Sequence, residues 1–193
     1  MKNLIITGPS RAGKTTLAQE LSKQLGYNMI SLDDLVDGLS NISDIKEQFD
    51  DGFEEITDNL APFLVRFLKQ ITLGTTYAHG IRYVVEGSYF NFDALMPEIA
   101  KLSDQYEVIG LKYDDLTPES LYNRIRKFDE PEDWTFTKTD DNVREACERF
   151  VKLNKRYDNY YKKYNIRAID TSHGHEAAIE KFIQSFKKEN NIA

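Results

Sequence analysis

Gly8-Pro9-Ser10-Arg11-Ala12-Gly13-Lys14-Thr15 is the stretch that decides the fold of this 193-residue chain. It fits the pattern G-x-x-x-x-G-K-[ST], the signature of a phosphate-binding P-loop, and the spacing has a physical cause. Glycines let the backbone fold closely enough for successive N–H groups to point at one polyphosphate, while the lysine adds a mobile cation and the last residue a hydroxyl for Mg²⁺. The flanks agree with this. Leu4-Ile5-Ile6 reads as a short buried strand, and Thr16 onward places Leu17, Ala18, Leu21 and Leu25 on one helical stripe that Gly26 stops. Such a helix adds the positive end of its dipole to the phosphate site. The expected nucleotide contacts are Gly8, Ser10, Arg11, Ala12, Gly13, Lys14, Thr15 and Thr16.

Outward from the loop, apolar runs alternate with helical patterns. Residues 27–32 predict a second strand ending at Asp33-Asp34, followed by an irregular acidic stretch. Asp58 is placed to cap a helix with Leu60, Phe63, Leu64, Phe67, Leu68 and Ile71 at spacings of three and four, Pro62 in its first turn and Gly74 past its end. Residues 82–88 predict a third strand running into Glu86-Gly87, and 93–102 a helix. A fourth strand over 106–113 precedes a helix from Thr117 that carries Arg124 and Arg126, then a polar loop over 128–140. The longest helix is expected over 141–164, a fifth strand over 167–170 and a final helix over 177–187. Strands alternating with helices predict an α/β chain, a parallel three-layer sheet with right-handed crossovers. With no linker-like composition break, residues 1–193 are expected to form one domain.

The net charge of −7 opposes nucleic-acid binding as a main function, because phosphate backbones demand a basic surface. No apolar run approaches the roughly 20 residues of a membrane helix, and the amino terminus enters the first strand at once, leaving no room for a signal peptide. A cytoplasmic protein is expected. Cys147 has no second cysteine to pair with, and on a stripe with Val143, Phe150 and Val151 it reads as a small core residue. From Asp33 to Asp58 ten carboxylates meet one cation, Lys46, which reads mainly as a solvated face. His173 and His175 flank Gly174, too few ligands for a closed metal site, so this segment reads as a loop. Nothing in the sequence specifies an oligomeric state.

The order of these motifs resembles the small P-loop kinases of the nucleoside and nucleotide kinase group. Within it, Ile30-Ser31-Leu32-Asp33-Asp34-Leu35 and Val84-Val85-Glu86-Gly87-Ser88-Tyr89-Phe90 look most like the nicotinamide riboside kinase and uridine kinase branch. The resemblance implies a five-stranded sheet ordered 2-3-1-4-5, ATP and Mg²⁺ as cofactors, and a lid over about 124–140 that contributes arginines. Asp33, at a strand's carboxyl end beside the P-loop strand, is expected to face the γ-phosphate and take the acceptor's proton, with Asp34 as the other choice. Glu86 is placed to hold Mg²⁺ with Thr15, or to hold the acceptor; Tyr89 is placed to line the acceptor pocket. Lys14, Arg124 and Arg126 complete the expected catalytic set, one arginine for the adenine base and one for the transferred group. The two arginines cannot share one face of a regular helix.

Missing arginines narrow the acceptor. None lies between Ala18 and Pro62, or between Gly87 and Arg124, where nucleoside monophosphate kinases hold an acceptor phosphate. Arg66 and Arg82 remain for that task. The balance favours a neutral or cationic small molecule phosphorylated on a hydroxyl, nucleoside-like as first choice. Shikimate kinases share the size, but their glycine triplet and acceptor arginines are not found. A nucleoside monophosphate kinase is the second reading, and an ATP-binding sensor or slow ATPase is a third of another class.

Overall fold

The computed structural model describes residues 1–42, 45–49, 52–131 and 133–192; Asp44, Asp50, Asp51 and Glu132, all in the acidic segments noted above, lie outside the described residues. Five strands, β1 (Asn3–Thr7), β2 (Asn28–Ser31), β3 (Tyr83–Gly87), β4 (Tyr106–Lys112) and β5 (Arg167–Asp170), pair in parallel in the order β2-β3-β1-β4-β5. This is the expected order. The strand period of two sends Leu4, Ile6, Val84, Ile109 and Leu111 to one face and Ile5, Val85 and Val108 to the other. Both faces are covered, which is why these strands read as nearly continuous apolar runs.

On the first face lie α1 (Lys14–Leu25), α6 (Pro118–Phe128) and α8 (His175–Glu189), through Leu17, Leu21, Leu121, Ile125, Ile179 and Phe182. On the second lie α2 (Leu32–Ser40), α3 (Phe53–Leu73) and α5 (Phe92–Ala100), through Val36, Leu60, Leu64 and Leu95. The long α7 (Asp140–Lys163) serves both, giving Val143 and Cys147 to one core and Tyr157 and Tyr161 to the other. A four-residue turn of helix, α4 (Thr75–Ala78), follows α3.

Two elements differ from expectation. The start of the acidic stretch after β2, Leu32–Ser40, is helical, because Ser31 caps it by accepting the Asp34 N–H and Leu32 and Val36, four apart, are buried. α3 starts at Phe53, five residues before the expected cap at Asp58, since Ile56 and Leu60 carry the apolar stripe back toward Gly52. Pro62 therefore sits inside the helix, where it forfeits the bond its N–H would make to the Asp58 carbonyl.

Register aligns the carboxyl ends of the three strands that matter. Ser31 and Ile6 both pair with Glu86, and Thr7 pairs with Gly87 on one side and Gly110 on the other. The chain leaves these strands toward α1, α2 and the segment after β3, so residues just past the strand ends meet in one crevice. Gly110 shows how tightly this end is built. A Cβ there would lie 2.5 Å from Cζ of Tyr161, whose hydroxyl donates to the carbonyls of Thr7 and Leu111, each at 3.0 Å. Gly110→Ala must push this buried ring off both carbonyls, and a loss of about 3 kcal/mol is expected in urea unfolding.

Candidate active site

The phosphate loop joins β1 to α1 and is held from both sides. A Cβ on Gly8 would stand 2.5 Å from the Leu111 carbonyl oxygen, so only glycine lets the loop lie against β4. Ser88 Oγ donates to the Gly8 carbonyl at 3.2 Å from the β3 side. Gly13, with φ of 91°, turns the chain into α1, and a Cβ there would come 3.2 Å from Cβ of His175 at the start of α8. Lys14 is buried and curls back over the loop, its Nζ donating to the Pro9 carbonyl at 3.0 Å. Burial lowers its pKa, and the charges of Asp33 and Glu86 act in the opposite direction.

Those two carboxylates close the site. Glu86, only 2% exposed, accepts a hydrogen bond at Oε1 from Thr15 Oγ1 at 3.3 Å, while its Oε2 is buried with no hydrogen-bond partner among the described residues. Burial pushes its carboxyl up, Lys14 pulls it back and Asp33 adds to the rise. Next to it, a Cβ on Gly87 would meet Cβ of Leu32 at 2.6 Å, so β3 and the start of α2 touch. Asp33 therefore stands in the first turn of a helix beside Glu86, not on the end of a strand as expected. Its charge acts on Lys14, Glu86, Tyr89 and Tyr157; that of Asp34 reaches only Glu86 of these four.

Tyr89 stacks on Phe53 with ring centroids 5.3 Å apart, and burial, then Asp33, raises its phenol pKa. Tyr157 donates to the Ser88 carbonyl, which makes a chain from α7 through Ser88 to Gly8 of the loop. Sequence reasoning missed Tyr157, since a tyrosine on a buried helical stripe carries no local sign of a distant partner. Beside this wall lies a cavity of about 200 Å³ bounded by Phe53, Asp58, Phe92, Asp93, Arg156 and Tyr157, with Asp33 and Glu86 outside it.

The arginines depart from expectation. Arg11 pairs its guanidinium with Asp129 at 2.8 Å and Asp133 at 2.7 Å. Arg124 donates to the Thr171 carbonyl at 2.9 Å and to His175 Nδ1 at 3.1 Å, which ties α6 to the segment after β5. Burial first, then Arg124, lowers the pKa of His175, so the ring is neutral at pH 7 with Nδ1 accepting. Arg126, expected in the catalytic set, is tied into the segment after α6. Its Nε and both terminal nitrogens are taken by Asp140, Asp129 and the carbonyls of Thr135 and Lys138. Both arginines belong to α6, which leaves 129–139 as the connecting segment, shorter than the expected lid.

Mg²⁺ fits the donor set. A hard dication takes oxygen ligands and keeps several for water and phosphate, and the Thr15 hydroxyl with the orphaned Glu86 oxygen supplies two. Among the described residues no three His, Cys, Asp or Glu side chains form a metal cage. Burial makes the ionised Glu86 costly, and the charge of Lys14 offsets that cost only in part. Glu86→Gln is expected to raise Tm of the ligand-free chain at pH 7, and the gain should close as pH falls through the raised pKa toward the ordinary 4.5, where the wild-type carboxyl is itself neutral. Thermal unfolding between pH 4 and 8 checks the sign.

A parallel sheet ordered 2-3-1-4-5, with the G-x-x-x-x-G-K-T loop running from its central strand into a helix, defines the P-loop NTPase fold in the form found in small kinases. The chain belongs to the AAA domain family, whose sequence model matches residues 4–148. Similar solved structures include shikimate kinase from Acinetobacter baumannii in complex with shikimate, 17% identical with a TM-score of 0.58, covering 98% of this chain and 94% of that one. Shikimate kinase from Bacteroides thetaiotaomicron is 16% identical with a TM-score of 0.59, covering 99% of both chains. No curated protein matches the chain. At these identities the likeness speaks for the fold alone. Among the described residues no helix is long and apolar enough to cross a membrane.

Proposed function

We propose that residues 1–193 act as one unit, a cytoplasmic Mg²⁺-dependent kinase that transfers the γ-phosphate of ATP to a hydroxyl of a small molecule. One observation supports this above others: the close contact of Gly87 with Leu32 brings the first turn of α2, with Asp33, beside the buried Glu86 at the P-loop. A protein that only binds nucleotide needs no further carboxylate there. In this reading the loop N–H groups and Lys14 hold the β- and γ-phosphates, Asp33 accepts the acceptor's proton, and Arg124 with Thr171 borders the adenine. Thr15 and Glu86 would hold Mg²⁺, which neutralises charge between the phosphates. Tyr89 lies between Asp33 and the acceptor side.

A nucleoside-like hydroxyl compound remains the first choice of acceptor, in keeping with the nucleoside kinase branch. A shikimate-type alcohol is the second, favoured by the similarity of fold to shikimate kinases. A nucleoside monophosphate is less favoured, because Arg82 bonds the carbonyls of Met1 and Tyr77 at the amino end of β3, away from the loop. ADP release is to be measured with nucleosides, nucleoside monophosphates, shikimate and amino alcohols. Stimulation over water by a hydroxyl compound supports the proposal; no stimulation by any class removes it.

A further inference from the structure

We propose that Asp129 is a positioning residue that ties the phosphate loop to the segment 129–139, and that this tie works against polyphosphate binding. The inference rests on the reading of the loop as a polyphosphate site. Asp129 follows α6 directly, its side chain is 5% exposed, and it lies between two guanidinium groups. Oδ1 accepts from Arg11 at 2.8 Å and Oδ2 from Arg126 at 3.2 Å. Thr135, fully buried, contacts both Asp129 and Arg11 through its hydroxyl, and Asp133 takes the other end of Arg11 at 2.7 Å. Arg126 extends the clamp to the carbonyls of Thr135 at 3.0 Å and Lys138 at 2.8 Å. The segment is thus folded around one side chain of the phosphate loop.

That side chain is Arg11, the fourth residue of the motif. Its φ of 65° is one that L residues seldom adopt. A nearly buried carboxylate needs such a cation, since a lost partner leaves an uncompensated charge. Polyphosphate entering the loop brings anionic oxygens that compete with Asp129 and Asp133 for the same N–H donors. Binding must then loosen the segment, and by linkage whatever loosens the segment must tighten binding.

The test is a double-mutant cycle on affinity for Mg²⁺–ADP and a non-hydrolysable ATP analogue, by calorimetry, using wild type, Asp129→Asn, Arg11→Ala and the double variant. Asp129→Asn keeps the shape and is expected to tighten binding about tenfold, within the usual range of coupling. In the Arg11→Ala background the same change should gain less than about twofold, because the competed donor is gone. Fluorescence of Trp134, which lies in the segment and meets Phe150 edge-on at 6.1 Å, should shift with nucleotide in wild type and start shifted in Asp129→Asn. Equal gains in both backgrounds, the result of charge removal at a distance, overturn the proposal, as does no gain in either. Should thermal melting show Asp129→Asn unfolded, the half-exposed Asp133→Asn runs the same cycle with the same criteria. A wild-type chain that binds no nucleotide sinks the proposed function itself, whereas binding with an additive cycle sinks only the tie.

Discussion

Lys14→Met is expected to lower kcat/KM for phosphoryl transfer by about 10³-fold while leaving Tm at pH 7 no lower than that of wild type. Phosphoryl transfer depends on positioning and charge neutralisation, and loss of one preorganised charged donor costs about 10²–10³ in rate in such sites. Lys14 is also the one residue through which Asp33, Glu86 and the loop carbonyl of Pro9 meet. Stability should move the other way. Burial lowers the lysine's pKa, so its charged form is disfavoured in the folded chain, and methionine removes that cost with a side chain of similar length. The sign follows from linkage: the wild type recovers as pH rises through the lowered pKa toward 10.5, and the advantage of Lys14→Met should close over that range. A drop in both rate and Tm at pH 7 would make Lys14 a structural cation.

The second large effect is expected at Asp33. Asp33→Asn should reduce kcat by about 10²–10⁴-fold, the usual contribution of a general base, with nucleotide affinity held within about twofold. Asp34→Asn, one residue on, should retain most of the activity, because its charge reaches Glu86 but neither Lys14 nor Tyr89. The pair is a matched control, since both residues sit in the first turn of α2 and both favour its dipole. Steady-state kinetics with the acceptor found by ADP release, beside equilibrium binding of the nucleotide, separates the outcomes. If Asp33→Asn turns over as wild type does, the base assignment is lost.

Much of this site was legible before the fold was known, and the illegible parts share a cause. The loop from Gly8 to Thr15 and the carboxylate Glu86 were readable because their meaning is local: two glycines at fixed spacing, an apolar strand ending in an acid. α2 was hidden by its own carboxylates, since Asp33, Asp34 and Asp37 fill the positions around Leu32 and Val36 and blur a helical period only two buried residues long. The start of α3 was misplaced for the same reason, with Glu54 and Glu55 before Ile56. The partners of Arg11, Asp129 and Thr135, were hidden because they are more than a hundred residues away.

Sequence alone therefore determined the order of elements, the parallel sheet and the chemistry of the phosphate loop, because backbone sterics and the periods of strand and helix act over a few residues. Tertiary structure alone decided that Asp33 lies in a helix, which partners Arg11 and Arg126 hold, and that Tyr157 reaches the loop through Ser88. Those choices depend on strand register and on the contact of Gly87 with Leu32, where a close packing distance selects among side chains that look alike in the sequence.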